Sequence, residues 1–241
     1  MSKINATVVA DSVNPQGDRL TSLLITFPRI LLSEINTHRM LSKNTSSSRA
    51  IPFNKMIEAI ENNPFIPIAW QKEHTGMQGY EYIIDEELIN QCRLNWLGAK
   101  DKAIQFAKDA NYNLQVTKQL CNRLLEPFMW TTMLITGSKE GWNNFFNLRC
   151  PQYEYPTADG DIYFKSKKDW INQFKATIPD KEVLDSYEQE SDLFWLKINK
   201  GQAEIHMMML SEEIYDCVQK STPIQLKENE WHIPMIKIIE D

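Results

Sequence analysis

Residues 20–52 read LTSLLITFPRILLSEINTHRMLSKNTSSSRAIP, and the order of signals in that stretch decides what kind of fold to expect. Residues 20–27 are mostly β-branched and apolar, which suits a strand. Pro28 stands where a first helical turn accepts proline. Ile30, Leu31, Ile35 and Leu41 then recur at helical spacing, predicting a helix up to about Lys43 that carries His38 and Arg39. Asn44 to Arg49 places five small or polar residues before an arginine and leads into Ala50-Ile51-Pro52, the composition of a loop. A helix end feeding a hydroxyl-rich loop with an arginine makes a compact anion site, because backbone N–H groups, serine hydroxyls and a guanidinium converge on one phosphate. A capped surface loop is the plain alternative for the same residues.

Upstream, residues 4–13 (INATVVADSV) form a second strand, joined to the first by the turn-like Asn14-Pro15-Gln16-Gly17-Asp18. Downstream, Pro52 restarts a helix to about Asn62, residues 64–82 read as a covering loop, and Asp85 to Ala110 has an acidic start and long helical periodicity. A further helix is expected over about Gln115 to Leu125, stopped by Pro127. Met129 to Thr136 reads as a buried strand, Gly137 to Gly141 as a turn, and Trp142 to Arg149 as a short helix closed by Arg149. Residues 151–200 differ in character and read as a hairpin around Ala158-Asp159-Gly160-Asp161 followed by a polar helix. Gln202 to Cys217 is an amphipathic helix whose Met207-Met208-Met209 run fills core.

A chain of 241 residues with 42% hydrophobic and 24% charged residues has the material for a packed core. A net charge of -6 argues against a surface that grips nucleic acid through many phosphates, so any phosphate site is small and local. No apolar run approaches the roughly 18 residues of a membrane span, and the first residues lack the apolar core of a signal peptide, so the cytoplasm is expected. Cys92, Cys121, Cys150 and Cys217 form no CxxC pair and read as reduced thiols, with Cys150 a packing residue and no metal site expected.

Among candidate chemical groups, a lone histidine such as His38 is more often hydrogen-bonded structure than catalyst. Arg123 and Arg149 lie in segments rich in Leu, Phe and Trp, where an unpaired guanidinium is costly to desolvate, so each needs an anion or a partner. Glu126 can serve Arg123. Arg149 has no nearby acid in sequence before Glu154. There is no GxGxxG, GxxxxGK[ST], GxSxG or HExxH, so a dinucleotide has no Rossmann cradle here.

Three ordered blocks carry a resemblance: Thr37-His38-Arg39 with Ser42, Asn44-Thr45 and Ser47-Ser48-Arg49; Asn122 to Pro127 (NRLLEP) with Asn143 to Arg149 (NNFFNLR); and Gln202-Ala203-Glu204-Ile205. Together they resemble the flavin-dependent thymidylate synthases, whose signature is Arg-His-Arg, then Ser, Asn-Glu and Ser-x-Arg. The nearest likeness is to a bacteriophage branch carrying Thr-His-Arg and Ser-Ser-Arg-Ala-Ile-Pro. The resemblance covers roughly residues 4–150 and 201–220.

It implies an α+β fold with a central, mainly antiparallel sheet flanked by helices, the thymidylate synthase-complementing-protein-like fold, as one domain over 1–241 with an insertion at about 151–200. It also implies a homotetramer with active sites between subunits, in the host cytoplasm if phage-encoded. By position, Thr37, His38, Arg39, Asn44 and Asn144 face FAD, with Ser138, Lys139 and Glu140 near it. Glu34, Thr37, Thr45, Ser46, Ser47, Ser48, Arg49, Arg123 and Arg149 face dUMP, with Arg149 as the catalytic group that favours the ionised pyrimidine ring. The implied reaction passes a one-carbon unit from 5,10-methylenetetrahydrofolate to C5 of dUMP, with NADPH-reduced FAD supplying the hydride that makes dTMP. That agrees with a chain in which arginines and anion sites stand out and no Ser, Cys or Asp nucleophile does.

The chain departs from the pattern at Thr37 (usually Arg), Thr45 (usually Glu), Glu34 (usually Gln) and in the fifty-residue insertion. A carboxylate at 34 accepts from an exocyclic amine where an amide serves a carbonyl, which leaves room for methylation or hydroxymethylation of dCMP. A non-catalytic nucleotide-binding protein is the remaining alternative.

Overall fold

The computed structural model describes residues 4–75, 79, 81–177 and 192–235. Part of the expected covering loop and residues 178–191 of the insertion lie outside them.

Strands β1 (Asn5–Val13) and β2 (Arg19–Pro28) form the expected antiparallel hairpin. Its turn is built by Asn14, whose side-chain oxygen accepts from the N–H groups of Gln16 and Asp18. Gly17 adopts φ 92°, a conformation that suits glycine. The sheet order is β3-β4-β2-β1-β7, with β3 spanning Leu41–Thr45, β4 Trp130–Ser138 and β7 Ile224–Gln225. Pairing is antiparallel except for β1 with β7, so the architecture is α+β with a mainly antiparallel sheet, as expected. Leu23, Ile25 and Phe27 alternate along β2 and are fully buried against α5 (Lys139–Arg149) and α8 (Ile205–Lys220), which cover one face.

A second core joins α2 (Phe53–Asn62), α3 (Glu86–Lys108) and α4 (Lys118–Cys121) with the 3-10 segment Asn122–Phe128. The insertion has a third core. Strands β5 (Tyr153–Thr157) and β6 (Gly160–Phe164) pair as a hairpin, and Tyr153, Tyr155, Trp170, Phe174 and Trp195 cluster between it, α6 (Lys167–Thr177) and α7 (Asp192–Ile198). The expected polar helix is therefore amphipathic. Among the described residues no helix is long and apolar enough to cross a membrane.

Three boundaries differ from the expectations. The helix through His38 stops early: a 3-10 turn, Arg29–Leu31, leads into α1 (Leu32–Asn36), and Leu41–Thr45 is strand β3 instead. Pairing of β3 with β4, Leu41 opposite Gly137 through Thr45 opposite Met133, overrides a local helical preference worth only tenths of a kcal/mol per residue. The expected turn at Gly137 to Gly141 is absent because β4 runs to Ser138, whose hydroxyl caps α5 by accepting from Gly141 N–H. The helix expected over Gln115 to Leu125 is only four residues long before it tightens to 3-10 geometry, which accommodates Pro127.

Candidate active site

The turn between α1 and β3 is held by Lys43, whose ammonium donates to the carbonyls of Ile35, Asn36 and His38, at and just beyond the C-terminal end of the helix, where a cation also meets the negative end of its dipole. Thr37 is exposed, and its hydroxyl donates to the Glu34 carbonyl at 2.7 Å. These contacts turn His38 inward, edge-on to Phe145 of α5. Arg149, at the end of α5, donates from Nε to His38 Nε2 at 2.9 Å, and one of its Nη atoms lies 2.6 Å from Glu34 Oε1. The acid that the sequence did not offer to Arg149 is thus Glu34, delivered by the fold.

This triad fixes protonation. An arginine always carries its protons, so His38 Nε2 is an acceptor and the ring proton sits on Nδ1. Burial, with Arg149 and Lys43 adding positive charge, lowers the His38 pKa to about 4. Burial raises the Glu34 carboxyl above its ordinary value, opposed by Arg149 and reinforced by Glu204. Because the folded His38 binds its proton less readily than the unfolded ring, its contribution to stability is fully present above pH 6.5 and is lost as pH falls to about 4. The His38 Cε1–H resonance is accordingly expected to titrate with a midpoint near pH 4. A midpoint at the ordinary 6.5 contradicts the arrangement.

The serine-rich loop is positioned from beneath. Fully buried Asn122 donates to the carbonyls of Ser48 and Ile51, shaping the 3-10 turn Ser48–Ala50, with Ser47 accepting from Arg49 N–H. Ser48 is buried and donates to Glu126 at 2.5 Å, so its hydroxyl points away from solvent, while Ser46, Ser47 and Arg49 are exposed. Thr45 is half-buried, and its hydroxyl donates across the sheet to the Thr132 carbonyl at 2.9 Å. Glu126 does not serve Arg123, as the sequence suggested; it lies 3.2 Å from the largely buried Arg29. Arg123 is exposed and lines a cavity of 460 Å³ with Arg29, Ser33, Asn36 and Glu126.

Arg39, Asn44 and Asn144 are exposed. Ser138, Lys139 and Glu140, with Asn143, line a cavity of 370 Å³ against the hairpin turn Gly17–Arg19. The structure brings together Glu34, His38 and Arg149. It sets the Ser46–Arg49 loop at the other end of β3, four residue steps or about 13 Å along the strand. Cys150 is buried and burial pushes its thiol far up, so it is inert at neutral pH, in keeping with a packing role.

Two residues near this site were given no role from the sequence. Glu204 caps α8 by accepting from the N–H groups of His206 and Met207, and also takes His206 Nδ1 at 2.5 Å. His206 Nε2 accepts from Ile68 N–H, pinning the covering loop onto α8. The available signal was an acid directly before an apolar helical run, a helix-start pattern.

A scan against protein-family models found no match, and no curated protein sequence matched. Structural similarity was found to a UMP/dUMP methylase, PolB, from Streptomyces cacaoi bound with 5-Br dUMP: TM-score 0.49, 10% identity, 77% of this chain and 95% of that chain covered. A second structure of that protein, bound with 5-Br UMP, gave a TM-score of 0.49 at 13% identity over 82% of this chain and 98% of that one. The flavin-dependent thymidylate synthase ThyX from Helicobacter pylori, complexed with FAD and dUMP, gave a TM-score of 0.33 at 17% identity, over 54% of this chain and 58% of that one.

Proposed function

We propose that this chain is a flavin-dependent thymidylate synthase that methylates dUMP to dTMP, using 5,10-methylenetetrahydrofolate as carbon donor and NADPH as the reductant of FAD. The observation that carries the reading is the state of Arg149. Its Nε is bound to His38 and one Nη to Glu34, so the guanidinium is fixed on two sides with its second Nη left to donate. A preset donor of that kind suits a pyrimidine carbonyl and stabilises negative charge as it develops on the ring. Two of the three sequence blocks that resemble this enzyme class supply His38 and Arg149 of this site, while Glu34 comes from α1 just before the first block.

The residues at the start of α5 fit a dinucleotide cofactor: Lys139, Asn143 and the first N–H groups of the helix offer donors to a pyrophosphate, and Asp18 and Glu140 accept from hydroxyl or amine groups. When bound there, reduced FAD supplies the hydride that completes the methyl group. Neutral His38 keeps Arg149 oriented without competing for its charge. The resemblance to this enzyme class implies a homotetramer with active sites between subunits, and the separation of the Ser46–Arg49 loop from Arg149 along β3 is compatible with a loop supplied by a second copy.

The test is incubation with FAD, NADPH, methylenetetrahydrofolate and dUMP. A flavin-loaded protein that yields dTMP supports the reading, and one that makes no methylated pyrimidine under these conditions overturns it. Arg49→Ala is expected to raise KM for dUMP about 10- to 100-fold, the worth of one charge-assisted hydrogen bond, while any slow turnover of deoxyuridine stays unchanged. The Glu34 carboxylate favours a second reading, dCMP as substrate, since a carboxylate accepts from an exocyclic amine; parallel reactions with dUMP and dCMP, read by mass, separate the two.

A further inference from the structure

The insertion leaves the fold just after Arg149 and returns just before Gln202, and the two crossings are tied to each other. Tyr153 and Asn199 form an antiparallel bridge, and Lys200 N–H donates to the Gln152 carbonyl at 2.8 Å. The side-chain oxygen of Asn199 accepts from Gln152 N–H at 3.0 Å and from Gly201 N–H at 2.8 Å, and its amide nitrogen lies 3.4 Å from Met208 Sδ on α8. One carboxamide therefore joins the outgoing chain, the returning chain and the helix beneath. The approach is close enough that a Cβ on Gly201 would stand 2.5 Å from Met208 Sδ and 3.1 Å from Pro151 Cα. The body of the insertion docks separately, through Lys167 N–H and Tyr153 to Glu212 and through Tyr215 to Asp169.

We propose that Asn199 is a positioning residue for Arg149: by clasping the neck of the insertion it holds the C-terminal end of α5 against the start of α8. Gln152, whose N–H it accepts, lies three residues beyond Arg149, and Gly201 lies three before Glu204, the carboxylate whose charge Glu34 senses. With the clasp open, the end of α5 is free to fray, because its last turn has no helical partner beyond Cys150. The guanidinium then loses its fixed approach to His38 and Glu34. This rests on Arg149 facing the substrate, but its test does not need turnover.

The readout is water exchange of the Arg149 Nε–H, assigned by its loss in Arg149→Lys, in the full chain labelled with ¹⁵N. Asn199→Leu, which removes the shared acceptor oxygen and keeps the γ-branched shape, is expected to speed that exchange about tenfold, the effect of losing roughly one net hydrogen bond. Asn199→Asp, which keeps that acceptor oxygen, leaves the exchange at the wild-type rate. The Arg19 Nε–H, bound to Asp11 on the hairpin, keeps its rate in all variants and so separates local loosening from general destabilisation. Unchanged Arg149 exchange in folded Asn199→Leu, or equal acceleration at Arg19, overturns the proposal. If Asn199→Leu does not fold, Gly201→Ala, which forces the neck apart, carries the same expectation, and unchanged Arg149 exchange there overturns it. Wild-type protein that makes no dTMP defeats the functional reading alone and leaves the exchange result to decide this one.

Discussion

Arg149→Lys is expected to lower kcat/KM for dUMP about 10²- to 10³-fold, the usual cost of removing a donor that stabilises developing charge. The guanidinium performs three tasks with one planar group: it donates to His38, pairs with Glu34 and keeps an edge for the substrate. A lysine ammonium is a point charge without a fork and cannot hold all three directions at once. It still neutralises Glu34, whose side chain is 27% exposed, so the variant should fold and the loss should lie in turnover. Initial rates over a range of dUMP, with circular dichroism as the control for folding, check this. Activity within about threefold of wild type would show that the guanidinium makes no interaction particular to the transition state.

Trp142→Ala is expected to destabilise the protein by about 3–5 kcal/mol, read from the denaturant midpoint at unchanged slope. Trp142 is 1% exposed, stacks on Phe146, meets Phe145 edge-on and donates from its indole to the Thr21 carbonyl on β2. Its removal leaves a cavity between α5 and the sheet and breaks the indole's hydrogen bond to β2. Because α5 carries Arg149 at its far end, the variant should also bind nucleotide more weakly at temperatures where it remains folded. A cost below about 1 kcal/mol would mean that the neighbouring aromatics close the gap.

The parts of this molecule that were legible in its sequence are those governed by short-range periodicity. The β1–β2 hairpin follows from alternating apolar residues around an Asn-Pro-Gln-Gly turn, and α2, α3 and α8 from helical spacing with identifiable starts. Leu41–Thr45 was misread because five residues in which Leu41 is buried and Ser42 and Asn44 are exposed fit either period. Only the partner strand β4 decides between them. The identity of the chemical groups was likewise carried by local pattern: a histidine and two arginines bracketing a hydroxyl-rich loop.

Their relations were not. Arg149 needed an acid, and the sequence shows none beside it; Glu34 stands more than a hundred residues away and arrives only because α1 and the end of α5 meet across Phe145 and His38. Ser48 and Ser47 are adjacent and chemically identical, yet one is buried on Glu126 and the other faces solvent. The sequence by itself determined which residues can hold anions and where helices and strands tend to form, because those depend on residue type and on neighbours within a few positions. Tertiary structure alone decided which charges pair, which hydroxyls stay available and which histidine nitrogen carries its proton, because these depend on desolvation and on partners brought together from distant parts of the chain.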